Sequence, residues 1–141
     1  MGFTADVRCV KTHAPMNLDG DGVDPRTVLV VDDEGDIRDA IVEILLGDEI
    51  AALGAASGED ALRILAERPV GLVVLDLMMP GMDGRQVVGA LRERGIDVPV
   101  VLISAGRDLK RVAHELGLPA IEKPFDLDHL LSTVHANLAQ A

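Results

Sequence analysis

The sequence is almost without aromatic side chains: two Phe, no Tyr and no Trp in 141 residues. That scarcity excludes single-stranded nucleic-acid readers, which stack bases on aromatic platforms, and cages that hold a quaternary ammonium on ring faces. Cysteine is scarcer still. Cys9 is alone, so an internal disulfide is excluded, and no Cys/His grouping has the spacing of a zinc site. Basic residues are outnumbered, 13 Lys and Arg against 24 Asp and Glu, and the net charge of −11 repels phosphate backbones and anionic lipid, which excludes direct nucleic-acid binding. No apolar run approaches the roughly 20 residues of a membrane span, and the first residues lack a basic start followed by an apolar stretch. A soluble, cytoplasmic protein with no membrane insertion is the expectation. Its core must be aliphatic, and 48% hydrophobic residues supply one.

Residues 1–26 lack sustained periodicity and end in the turn-forming NLDGDGVDPR, so a mostly disordered extension is expected there, with Met16 as a second candidate start. The DGDGVD run resembles a calcium loop only superficially, because the position for a bidentate Glu holds Val30. From Thr27 the texture changes. Five aliphatic runs, TVLVVDD, EIAALGAAS, GLVVLDL, VPVVLIS and PAIEKPF, alternate with segments of helical period, the pattern of a parallel sheet covered on both faces. Ile37, Ile41, Ile44 and Leu45 stripe the first helix. Ser57 with Asp60, and Asp83 with Gln86, resemble capping boxes opening the second and third. Gly117 is placed to end the fourth helix and Asp126 to cap the fifth. The count is (βα)5 over residues 27–141, with the last helix consuming the end and no output domain expected.

In an open α/β sheet the carboxyl ends of the strands converge on one crevice. The first run ends in Asp32 and Asp33, the third in Asp76, the fourth in Ser104 and the fifth in Lys123. Three clustered carboxylates repel one another and call for a compensating charge, which a hard divalent cation such as Mg2+ provides through oxygen ligands. Lys123 offers a point charge and Ser104 a hydroxyl to phosphoryl oxygens. These are the parts of a phosphoryl-transfer site. Asp76 closes the most hydrophobic run and is the candidate nucleophile. Asp33 is left to ligate the metal directly and Asp32 directly or through water, with the Met78 backbone carbonyl completing the shell.

These residues, in this order, resemble the receiver domain of bacterial two-component response regulators, in which an aspartate takes a phosphoryl group from a histidine kinase. Asp32 and Asp33, the DLMMPGMDG segment around Asp76 with Pro80 and Gly84, Ser104, and Lys123-Pro124-Phe125 carry the likeness, which covers residues 27–141. The resemblance implies a flavodoxin-like α/β fold, a doubly wound parallel sheet of strand order 2-1-3-4-5, and a cis Lys123-Pro124 bond. It implies a stand-alone, regulatory rather than enzymatic protein: a switch phosphorylated on Asp76 with Mg2+, partnered by a sensor histidine kinase or a histidine phosphotransfer protein. A downstream protein would dock on the face of the fourth helix, fifth strand and fifth helix.

Two departures stand out. The family's Tyr or Phe three residues before the lysine is here Ala120, which removes the ring half of the usual relay and leaves a shift of residues 105–108 and the docking face as the expected readout. The positions two residues beyond Asp76 and Ser104, where the family places side chains that orient or block attacking water, are Met78 and Gly106, so slow self-hydrolysis is expected. Two other readings remain: a pseudo-receiver that is never phosphorylated and acts as an adaptor, and a Mg-dependent haloacid-dehalogenase-type phosphatase, whose second Asp would stand where Met78 does. The histidines, His13, His114, His129 and His135, fit no metal or triad spacing and are expected at the surface.

Overall fold

A computed structural model of the chain describes residues 26–138. The expected extension, with Cys9, His13 and the DGDGVD run, lies outside the described residues, apart from Arg26.

Each of the five aliphatic runs becomes a strand. The strands are β1 (Val28–Val31), β2 (Ala52–Ala55), β3 (Leu72–Asp76), β4 (Val100–Ser104) and β5 (Ala120–Glu122). Between and after them run α1 (Gly35–Gly47), α2 (Gly58–Glu67), α3 (Gly84–Glu93), α4 (Leu109–Leu116) and α5 (Leu127–Leu138). All pairings are parallel and the sheet order is β2-β1-β3-β4-β5, the flavodoxin-like order. The first four strands are buried along their whole length, which is why they read as continuous apolar runs rather than as alternating ones. The chain steps outward from β1 to β2 and then reverses to β3, so right-handed crossovers put α1 on one face and α2, α3 and α4 on the other. That reversal leaves a crevice between the carboxyl ends of β1 and β3.

Helix ends follow local chemistry. The Asp83–Gln86 box is complete: the Asp83 carboxylate accepts from the Gln86 amide at 3.0 Å and the Asp83 amide donates to Gln86 Oε1 at 2.9 Å. At α2 only half of the expected box forms. Ser57 Oγ accepts from the Asp60 amide at 3.1 Å, while the Asp60 carboxylate, one methylene shorter than a Glu, turns to Arg63 at 3.1 Å. Gly117 ends α4 at φ 71°, a conformation that glycine takes without a Cβ clash. Asp126 caps α5 by accepting from the His129 amide at 2.7 Å. His114, His129 and His135 are exposed, as expected, and His135 Nε2 lies 2.7 Å from Asp48 at the end of α1.

The core is aliphatic throughout. Among the described residues the buried polar side chains are Thr27, Asp32, Asp76 and Ser104, and the last three all lie at the carboxyl edge of the sheet. Apart from Thr27, at the start of β1, the polar side chains buried among the described residues are concentrated at that edge.

Candidate functional site

Register brings the acids together. Val31 pairs with Leu75, so the next residue on each chain, Asp32 and Asp76, stand side by side across the crevice. Ser104 pairs with Glu122, and the Lys123 amide donates to the Ser104 carbonyl at 2.9 Å, which places the lysine one step past β5 beside the ends of β3 and β4. From there its ammonium reaches back over the crevice, Nζ lying 3.1 Å from Asp32 Oδ2 and 3.5 Å from Asp76 Oδ2. The Lys123-Pro124 bond is cis.

Each acid is also held by backbone. Asp32 Oδ1 accepts from the Glu34 amide at 2.9 Å, and Asp76 Oδ1 accepts from the Met78 amide at 3.1 Å. Asp32, Asp33 and Asp76 each offer an oxygen, and these lie within 4.8 Å of one another. Asp32 and Asp76 are buried, whereas Asp33 is exposed toward the mouth. Ser104 Oγ accepts from the Gly106 amide at 3.0 Å, which leaves its hydroxyl hydrogen able to donate.

The electrostatics are unbalanced. Burial raises the Asp76 carboxyl from 3.8 to about 6, with the Asp32 charge adding to the rise, and the Met78 amide and Lys123 only partly offset it. Burial works against the Lys123 ammonium, yet its bonds to Asp32 and Asp76 hold its pKa above the ordinary lysine value. One ammonium thus serves both buried acids, and the carboxylates of Asp32, Asp33 and Asp76, all of them hard oxygen donors, form a set that fits a divalent cation of the magnesium kind.

Every candidate residue named from the sequence lies in this crevice or on its rim. The roles of several supports were not read from the sequence. Glu34 Oε1 lies 3.7 Å from Lys123 Nζ, a third carboxylate on the same ammonium. Arg38 Nη1 donates to the Asp32 carbonyl at 2.9 Å. The Met78 and Gly106 amides are donors whatever their side chains, so residue type gives no signal for them. Gly84 opens α3 against the loop that follows Asp76: its amide donates to the Leu77 carbonyl at 3.0 Å, and a Cβ there would lie 2.8 Å from Leu77 Cα and 3.0 Å from the Asp76 carbonyl oxygen. Arg38, four residues after Glu34, was the one legible in principle, since that spacing puts both on one helical face.

Comparison with known proteins agrees with this geometry. The family model of the response regulator receiver domain matches residues 28–135. The chain belongs to the response regulator receiver family. The receiver domain is the regulatory, phosphorylation-dependent switch of two-component systems rather than a catalytic unit, and such domains interact with kinases or phosphotransfer proteins. A putative NtrX-like response regulator of Rickettsia bellii is 38% identical over 109 residues, 74% of this chain and 23% of the relative. The response regulator MprA of a Mycobacterium species is 36% identical over 120 residues, 81% of this chain and 51% of the relative. The chain therefore spans between about a quarter and a half of these relatives' length. Among solved structures, the receiver domain of NtrX from Brucella abortus superposes with a TM-score of 0.75 at 32% identity, covering 81% of this chain and 99% of that one. The Francisella response regulator 1452 receiver domain gives 0.75 at 29%, covering 81% and 97%.

Proposed function

We propose that this receiver accepts a phosphoryl group on Asp76 from the phosphohistidine of a sensor histidine kinase or a histidine phosphotransfer protein, and passes the signal on by protein contact. The observation that carries the reading is the placement of the two buried carboxylates, Asp32 and Asp76, around the Lys123 ammonium at the crevice of the sheet. A carboxylate oxygen of Asp76 attacks phosphorus; the O–P bond forms as the P–N bond breaks, and its electron pair returns to the donor imidazole. Lys123 and the Ser104 hydroxyl bind the oxygens of the arriving phosphoryl group. The Met78 amide fixes the direction of the attacking carboxylate. Asp32, Asp33 and Asp76, with the Met78 carbonyl, would hold Mg2+, which when bound supplies charge neutralisation for the phosphoryl oxygens. The chain's part in its own phosphorylation is thus positional.

Turnover is slow in this reading. The Met78 side chain is 64% exposed and has no hydrogen bond to give, and Gly106 has no side chain, so neither orients attacking water. Readout runs through residues 105–108 and the face made by α4, β5 and α5, without a ring at Ala120, toward a protein partner rather than nucleic acid, in keeping with the charge of −11. A cytoplasmic location suits a domain fed by kinases of that compartment.

Ala120 favours one second reading, an adaptor that is never phosphorylated. Intact mass of the full chain after incubation with Mg2+ and a small phosphodonor separates the two. A phosphoryl adduct that is lost in Asp76→Asn supports the switch; no adduct with any of several donors supports the adaptor.

A further inference from the structure

We propose that Arg38 is a positioning residue for the cation site, acting through the backbone of Asp32, and that Gly54 on β2 provides the space its side chain needs. The inference rests on the metal reading above and concerns a residue outside the acidic set. Arg38 lies in the first part of α1 with its side chain 18% exposed. Its stem crosses Gly54, where a Cβ would lie 3.1 Å from Arg38 Cδ and 3.3 Å from Cγ, and its Nη1 ends on the Asp32 carbonyl at 2.9 Å. Asp32 is held at its other atoms too: its amide donates to the Ala55 carbonyl at 3.1 Å, Oδ1 takes the Glu34 amide and Oδ2 takes Lys123. The Arg38 bond fixes the remaining element, the peptide plane between Asp32 and Asp33. That plane sets where the exposed Asp33 carboxylate points relative to Asp32 and Asp76.

The sign of the effect distinguishes positioning from simple charge. A guanidinium beside a cation site repels the cation, so on Coulomb grounds alone its removal tightens Mg2+ binding. If the guanidinium orders the ligands, its removal weakens binding, as loss of an outer hydrogen-bond partner of a metal ligand typically does by about 10-fold or more.

The test is an Mg2+ titration of the full chain, followed through the amide resonances of Asp33, Glu34 and Met78. Arg38→Met is expected to weaken Mg2+ binding about 10-fold, Arg38→Lys to recover part of the loss, and Gly54→Ala, which changes no charge, to weaken binding in the same direction. Equal or tighter binding by Arg38→Met overturns the inference. Should that variant fail to give a folded amide spectrum, unchanged affinity in Gly54→Ala overturns it instead. A parent chain that binds no Mg2+ removes the metal reading and this inference with it, an outcome distinct from a parent that binds and variants that do not differ.

Discussion

In the proposed function Asp76 answers two opposed demands: it must be buried enough to meet a phosphoryl group in a fixed direction and ionised enough to attack. Its carboxyl is raised from 3.8 to about 6. A raised acid binds its proton more readily when folded, so its contribution to stability is full below about pH 4 and is lost as the pH climbs through 6. For the metal-free chain this predicts an unfolding free energy that falls across that window by on the order of 3 kcal/mol from this group. Asp76→Asn should flatten the fall and melt several degrees higher at pH 7.5; thermal melts from pH 4 to 8 check this. Mg2+ should narrow the difference by stabilising only the parent. Lys123 carries the reciprocal risk. Its side chain is 13% exposed and serves two buried acids, so Lys123→Met leaves them without their cation and is expected to cost about 3 kcal/mol, read by urea denaturation at pH 7.5. These side chains were legible because chemistry at strand ends is restricted to few residue types. The backbone donors of Met78 and Gly106 were not, since any residue would supply them.

At the scale of elements, the loop after Asp76 and α3 are joined by a close approach. Replacing a glycine inside a free helix by Ala stabilises it by about 1 kcal/mol. Gly89, in α3 with open space around its Cβ position, should follow that rule. Gly84, whose Cβ would meet backbone atoms of Asp76 and Leu77, should reverse it: Gly84→Ala is expected to lose at least about 1 kcal/mol and to slow phosphorylation, while Gly89→Ala gains stability and leaves the rate alone. Chemical denaturation of the pair, with phosphorylation rates, tests the contrast. The strands were readable because Val, Ile and Leu crowd positions buried on both faces. The capping box at Asp83 was also readable, whereas at Ser57 the same signal was answered only in part, because Arg63 competes for the Asp60 carboxylate. Local pattern predicts which atoms are available to pair, and tertiary neighbours decide which pairs form. Without an aromatic at position 120, addition of a phosphoryl mimic should shift amide resonances of residues 105–108 and of α4, β5 and α5. An unchanged face would remove the proposed readout.

Across the whole molecule, an aliphatic core and a large negative charge are two aspects of one composition. With no Trp or Tyr, intrinsic fluorescence reports nothing of the site, so mass and resonance methods must carry the tests. In the proposed function the charge of −11 adds to the demand of the crevice for a cation. The strand order came from the family resemblance, and the convergence of the strand-end side chains was legible because a doubly wound topology delivers strand ends to one edge whatever their separation in sequence. What stayed hidden were the contacts that topology alone creates, such as Arg38 lying across Gly54. The central claim is that Asp76, rather than its acidic neighbours, takes the phosphoryl group. Reductive trapping of the acyl phosphate in the full chain after reaction with Mg2+ and a small phosphodonor, followed by peptide mass mapping, tests it most directly: the account predicts modification at Asp76 and none at Asp32 or Asp33, and trapping at either neighbour would contradict it.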